Sequence, residues 1–483
     1  MTTLIAEGDL TGAAVVLGVL TVVLVVGEAW ARIGDPDPER SRKFVHLFSG
    51  GVCLLFPFFV TSPVVVGALA IGMSALFATA SRYQLLKSLH RVERAKDSRG
   101  SEYYPVAIFL VFLLAADDLW IYFSAVLTLG VADAFAALIG TRYGRLKYTV
   151  QDGQKSVEGS LAFFAITAGA ILISAPFFAE LPWPNLLQIA FTTAVVLTAF
   201  EAISLRGADN LFVPVAAAVI LAKLAADPYT VLLFQNLHLL AFACGAIAVN
   251  LLAGYTTGTR DTRPFDTGGI LTFTLFAFAT WALGSASWAL PVIVGYLLAI
   301  IAWITSGLAT GVHVKIPIRV AYRALLIPFA ILIFANISGH YALLFGPYLA
   351  SCAAVLAFTI TTFWRPSPKI RGPLYSTRFS IAVGFVAALC VTIPPFLFYP
   401  DVGLLGGPGL LVALTTVICA VNYRIVERRL RDADDHFWPA SHFTLPILAA
   451  LIVLGLQHLG LIGHWTPPPD AELMRYSWEP FWW

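Results

Sequence analysis

The stretch DAFAALIGTRYGRLKYTVQDGQKSVEGS, Asp133 to Ser160, sets carboxylates, bases and glycines side by side in an otherwise strongly apolar chain. Asp133, Ala136, Ala137, Gly140 and Gly144 fall at i, i+3, i+4, i+7 and i+11, which is one face of a helix. Small residues on that face admit a second backbone or a ligand. A carboxylate inside an apolar span is costly unless it is paired or functional. Beyond the helix come Arg142, Arg145, Lys147 and Lys155, then Glu158 just before a helix opening at Gly159–Ser160. Bases beside carboxylates, with glycines and a helix N-terminus, make an environment for phosphate and Mg²⁺. The same residues also fit a plainer arrangement. In it the small residues are a packing face, Asp133 pairs with a loop arginine, and the loop is simply basic.

Two further constellations carry related chemistry. In ERSRKFVHLFSGG, Arg42 and His46 are four apart and share a face with Lys43 beside them, so they could hold a phosphate. Interfacial bases with a packed histidine would look the same. In EAISLRGADNLFVP, Glu201 lies inside a span, and Asp209 and Asn210 open the next helix. Asp209 suits an N-cap, but capping does not explain Glu201. A basic loop, RAKDSRGSEYYP, reads as a solvated segment facing anionic lipid. Glu28 is one more intramembrane acid, with no evident partner in the sequence.

The elements that must position these groups are membrane helices. Of 483 residues, 59% are hydrophobic and 12% charged, about half the charge of a soluble domain. Apolar runs recur from end to end and predict an all-α polytopic membrane protein, with about 14–16 transmembrane helices of about 20 residues and no soluble domain. Spans are expected at 44–58, 103–116 (fused to its neighbour or re-entrant), 119–140, 160–178, 186–205 and 209–226, among others. The N-terminus lacks a basic region and a cleavage site, so its first apolar run reads as a retained helix. All basic residues except Lys223 and Arg475 fall on one face, which the positive-inside rule makes cytoplasmic, with both termini outside. The connections 82–102, 141–159, 364–378 and 424–439 belong to that face. The five cysteines stand singly in apolar segments and read as core residues. No basic stripe or zinc spacing points to nucleic acid. Ionisable residues thin out after residue 267, which suggests a first membrane domain over 1–255, a cytoplasmic linker at 256–267 and a second membrane domain over 268–483.

The ordered motifs resemble those of the CTP-dependent polyprenol kinase family, which includes dolichol and phytol kinases. The carriers are Asp133-x-x-Ala136-x-x-x-Gly140-x-x-x-Gly144 with Lys155-Ser156-x-Glu158-Gly159, flanked by RKFVH (Arg42 to His46) and DNLFVP (Asp209 to Pro214). Gln154 stands where the family has a lysine, so no phosphate contact is expected from it. The resemblance covers roughly residues 20–255. It implies phosphoryl transfer from CTP to an isoprenoid alcohol such as phytol or geranylgeraniol, with Mg²⁺, at the cytoplasmic face of a plasma or inner membrane. Asp133, Glu158 and Asp209 would hold the metal, with Asn210, or activate the hydroxyl. Lys155, Arg142, Ser156, Gly140, Gly144 and Gly159 would bind nucleotide phosphates, joined by Arg42, Lys43 and His46. Glu201 would be secondary. The rival readings are a phosphatidate cytidylyltransferase and an ion-coupled transporter with Glu28, Asp133 and Glu201 as its relay. The second half faintly resembles a phytyl-phosphate kinase, yet 355–363 (VLAFTITTF) holds no carboxylate, so a scaffold or lipid-access role is expected there. Asp133→Asn should change folding little, because Asn avoids the expense of burying a charge in the bilayer.

Overall fold

The computed structural model describes residues 8–34, 38–83, 99–150, 153–204, 207–257, 263–311, 318–364, 377–398, 407–432 and 439–465, with 6, 85–86, 313 and 315–316. The tail beyond 465, with Arg475, lies outside them, as do parts of the expected connections 82–102, 364–378 and 424–439 and of the linker 256–267. Among the described residues, eleven helices are long and apolar enough to cross a membrane. Three shorter apolar helices, Gly100–Ala115, Val320–Asn336 and Gly407–Asn422, accompany them. This is an all-α polytopic membrane fold, and its extended structure among the described residues is a small β-hairpin and a single bridge between Phe265 and Ile316.

Two compact units divide at Leu237/His238. The first contains α1 (Asp9–Ile33), α2 (Pro38–Cys53), α3 (Phe56–Phe59), α4 (Pro63–Tyr83), α5 (Gly100–Ala115) and α6 (Leu119–Tyr143). The hairpin follows, β1 (Lys147–Val150) and β2 (Gly153–Ser156), and then α7 (Val157–Phe178), α8 (Trp183–Ile203) and α9 (Asp209–Ala225). Helix α10 (Tyr229–Thr256) runs through the division. The expected span 44–58 is two helices, and the first of them, α2, starts earlier, at Pro38, so that Arg40, Arg42 and Lys43 are helical. Helix α5 is separate from α6, not fused to it.

Lipid is as apolar as leucine, so helices in a bilayer associate through close packing and polar contacts more than through a hydrophobic drive. The first unit shows both. A Cβ on Gly50 would stand 3.0 Å from Gly130 Cα, so α2 and α6 meet backbone to backbone there. Tyr122 donates from its hydroxyl to the Cys53 carbonyl at 2.7 Å. Phe163, Ile171, Leu186, Ile189 and Leu197 fill the space between α7 and α8. Glu28 does have a partner: Arg32, one turn on, at 2.6 Å.

The second unit contains α11 (Thr267–Gly284), α12 (Ala286–Thr310), α13 (Ile318–Ser338), α14 (Tyr341–Thr362), α15 (Thr377–Thr392), α16 (Gly407–Asp432) and α17 (Pro439–His458). Helix α14 is wrapped on every side, with 89% of its membrane-length window buried. Its C-terminal turns carry Thr359, Thr361 and Thr362, whose hydroxyls donate back to carbonyls three or four residues earlier. Such bonds satisfy the hydroxyls inside one helix. The helix is therefore a packing axis.

Candidate functional site

Helix α6 is not regular. It passes through a π-turn at Thr128–Ala132, where the Asp133 N–H bonds to the Thr128 carbonyl, five residues back. In an α-helix that donor would go to Leu129. The Leu129 carbonyl instead accepts from His46 Nε2 at 2.8 Å. The same ring nitrogen stands 3.3 Å from Asp133 Oδ2. Both neighbours are acceptors, so Nε2 carries a proton. Tyr104 packs edge-on to the imidazole with centroids 4.8 Å apart. π-turns of this kind recur at functional sites, and this one turns Asp133 toward α2.

Lys43 meets Asp133 there. Its Nζ is 2.5 Å from Oδ2 and 3.3 Å from the Asp133 carbonyl, and the lysine is buried. Asp133 therefore pairs with a lysine on α2, not with a loop arginine. A second pair sits alongside: Lys155 Nζ lies 2.5 Å from Glu201 Oε1 and also donates to the Glu201 carbonyl. Burial works against charge on Lys155, but the Glu201 and Asp209 carboxylates outweigh it and hold its pKa above the ordinary lysine value.

The hairpin delivers that lysine. Tyr148 faces Lys155 across the antiparallel ladder, and the Tyr148 hydroxyl is 2.6 Å from Ser160 Oγ at the start of α7. Ser156 caps α7 by accepting from the Gly159 N–H at 3.1 Å. Glu158 Oε1 accepts from the Arg145 and Leu146 amides at 2.9 and 3.1 Å. These contacts fix the hairpin against α7 from three sides.

Asp209 completes the cluster. Gly207 takes φ +79°, a left-handed turn that favours glycine, and it sends the chain from α8 back into α9. Ala208, not Asp209, is the cap residue, and Asp209 is the first helical residue, with Oδ1 accepting from the Asn210 amide at 3.1 Å. Asp133, Glu201 and Asp209 each offer a carboxylate oxygen within 4.8 Å of the others. Among the described residues this is the one group of three acidic, histidine or cysteine side chains so placed. Oxygens sharing an octahedral Mg²⁺ at about 2.1 Å lie roughly 3–4 Å apart, so small side-chain adjustments would suffice. An all-carboxylate donor set also suits a hard cation. The residues fit Mg²⁺.

Sequence-predicted residues therefore divide. Lys43, His46, Asp133, Lys155, Glu201, Asp209 and Asn210 gather at one end of the first unit. Arg42 lies one position from Lys43 on α2. Arg142 is exposed, with its guanidinium 5.3 Å from the Tyr143 ring centroid. Glu158 holds backbone amides outside the carboxylate group. Gly140, Gly144 and Gly159 meet backbone and Ser156: a Cβ on Gly159 would lie 2.9 Å from the Ala136 carbonyl and 3.2 Å from Gly140 Cα. The second backbone, that of α7, takes the space the small residues leave. Tyr148 and the Leu129 carbonyl were not singled out from the sequence, and Tyr104, expected in the solvated RAKDSRGSEYYP loop, is instead a buried residue of α5, which begins at Gly100. The Tyr148–Lys155 hairpin is too short for a periodicity signal.

The chain is 34% identical over 209 residues to phytol kinase of Synechocystis sp., covering 42% of this chain and 86% of that relative. It is 28% identical over 221 residues to dolichol kinase EVAN of Arabidopsis thaliana, covering 41% of this chain but only 37% of that longer relative. No family model and no solved structure matches. A carboxylate cluster on a helical membrane scaffold, and near-complete coverage of a relative above 30% identity, place this chain in the phytol kinase and dolichol kinase family.

Proposed function

We infer that the chain is a kinase for an isoprenoid alcohol. Phosphate would come from CTP and pass to the alcohol hydroxyl at the end of the first unit that carries the hairpin, facing the cytoplasm. The observation that carries this reading is the convergence of Asp133, Glu201 and Asp209 on Lys43 and Lys155 in a member of this family. Phosphoryl transfer asks for cations on the phosphates, charge neutralisation and placement of the nucleophile, and little covalent chemistry from the protein. Asp133 and Glu201 would hold Mg²⁺. When bound, the ion would neutralise charge on the transferring phosphoryl oxygens.

Asp209 is left for the hydroxyl, because no described cation lies within salt-bridge distance of it. The alcohol oxygen attacks the terminal phosphorus, the bond to the bridging oxygen breaks, CDP departs and the hydroxyl proton passes to Asp209. Lys43 and Lys155 turn from their carboxylates to the phosphates as nucleotide and metal enter. Their tight pairing beforehand keeps the cluster near neutrality, which lowers the cost of burying it. The second unit contributes no comparable acid group among its described residues and acts as scaffold.

The test is transfer of label from γ-labelled CTP, with ATP as the comparison donor, in membranes containing the chain. Acceptors are phytol, geranylgeraniol, farnesol, dolichol and diacylglycerol. Label should enter a prenol with release of CDP, and faster from CTP than from ATP. Label confined to diacylglycerol, or release of pyrophosphate, overturns the reading.

A further inference from the structure

A cavity of about 100 Å³ opens between α1, α2, α4, α5 and the start of α9. A single water-sized group needs about 10–15 Å³, so there is room for several linked carbon groups in a row. Its body is apolar: Leu20 and Leu24 on α1, Leu69, Ala70 and Met73 on α4, and Ile108 on α5. One end is polar, with Arg42, His46, Ser49, Tyr104 and Asn210. That end adjoins the carboxylate group, since His46 stands 3.3 Å from Asp133 and Asn210 follows Asp209. Along α4 the lining runs from Val66 to Phe77, about 16 Å at about 1.5 Å per residue.

We propose that this cavity is the binding site for the tail of the alcohol, holding its first isoprene units with the hydroxyl at the His46–Asn210 mouth. The inference rests on the kinase reading above and adds where the substrate lies and what measures its length. Three observations favour a single-chain alcohol over a bilayer phospholipid. At about 100 Å³ the body is small for the two acyl chains of a phospholipid. The mouth offers hydrogen-bonding groups suited to a hydroxyl. Two cations beside it, Arg42 and Lys43, suit the phosphate monoester formed there. Helix α1 closes the cavity on its lipid side with only 22% of its membrane-length window buried. Ala70 is the small buried residue whose enlargement would fill the passage.

Two experiments test this. The first needs no turnover: a geranylgeraniol analogue with a diazirine in its second isoprene unit is photolysed with the purified protein, and labelled peptides are mapped. Label is expected within Val66–Phe77 and should be displaced by unlabelled geranylgeraniol. Label elsewhere, or equal displacement by a diacyl phospholipid, overturns the site. Because binding is read directly, this result stands apart from whether CTP transfer is ever observed. In the second, Ala70→Phe is expected to lower kcat/KM for geranylgeraniol at least tenfold more than for an alcohol of a single isoprene unit, the effect of displacing two or so buried methylenes. Equal loss for both alcohols in monodisperse protein overturns the proposal. If Ala70→Phe is not monodisperse, Met73→Trp blocks the same passage, and the labelling map decides on its own.

Discussion

Replacing Asp133 by Asn separates the two meanings of the buried pair. Asn keeps one oxygen and the shape of the side chain but leaves Lys43 charged and buried with only neutral acceptors, the amide oxygen and the backbone carbonyl of residue 133 at 3.3 Å. Removing one partner of a buried pair costs about 3–5 kcal/mol, because the other charge is left uncompensated. The expectation of little change in folding counted only the carboxylate's own burial; with Lys43 left behind, a substantial loss is expected instead. At about 2–4 °C per kcal/mol for a unit of this size, Tm should fall by roughly 6–20 °C. Asp133→Asn combined with Lys43→Met removes both charges and should return most of that stability. Activity should not follow. If Asp133 holds metal and Lys43 holds phosphate, the single and double variants each lose on the order of 10²-fold or more in kcat. The assay is thermal unfolding in detergent beside turnover per monodisperse protein. A double variant that regains turnover along with stability would show the pair to be structural and would refute the catalytic placement.

Lys155→Met should lower kcat by on the order of 10²-fold while its hairpin stays tied to α7 through Tyr148 and Ser160; unchanged turnover would remove Lys155 from the phosphate site. Gly159→Ala sets a methyl 2.9 Å from the Ala136 carbonyl and should cost about 1–3 kcal/mol by overpacking. A variant as stable as the parent would contradict the close approach of α6 and α7. Cysteines placed at positions 148 and 470 should label from opposite sides of the membrane, the first from the cytoplasm; labelling from one side would break the orientation.

Much of the scaffold was legible because its signal is local. A run such as Val157–Phe178 announces a span by composition, and the spans near 160–178, 186–205 and 209–226 match helices within a few residues. The residues that gather around Asp133 were also readable as a set, since carboxylates and bases in apolar surroundings are costly without a reason to be there. What could not be read was pairing. Lys43 and Asp133 are 90 positions apart, and nothing local distinguishes Lys43 from Arg42 as the partner. The π-turn was hidden for a different reason: one extra residue in a helical turn leaves no trace in an apolar pattern. The glycines were legible as small but not as to what fills the space they leave. The structure puts backbone there, and Glu158 on backbone amides nearby.

The Lys43–Asp133 pair also sets an order of events during synthesis. Helix α2 carries Arg40, Arg42 and Lys43 and is not among the helices apolar enough to cross unaided. Its counter-charge is 90 residues downstream, which at about 5–20 residues per second leaves the ribosome roughly 5–20 s later. Until then Lys43 lacks the carboxylate that neutralises it in the folded chain, and burying it stays costly. Final packing of α2 thus waits for α6. A chain cut in the connection after α5 would contain every residue of α2 yet lack the group that lets it settle into the membrane, and it would meet the cell's quality control as an unfinished helix pair.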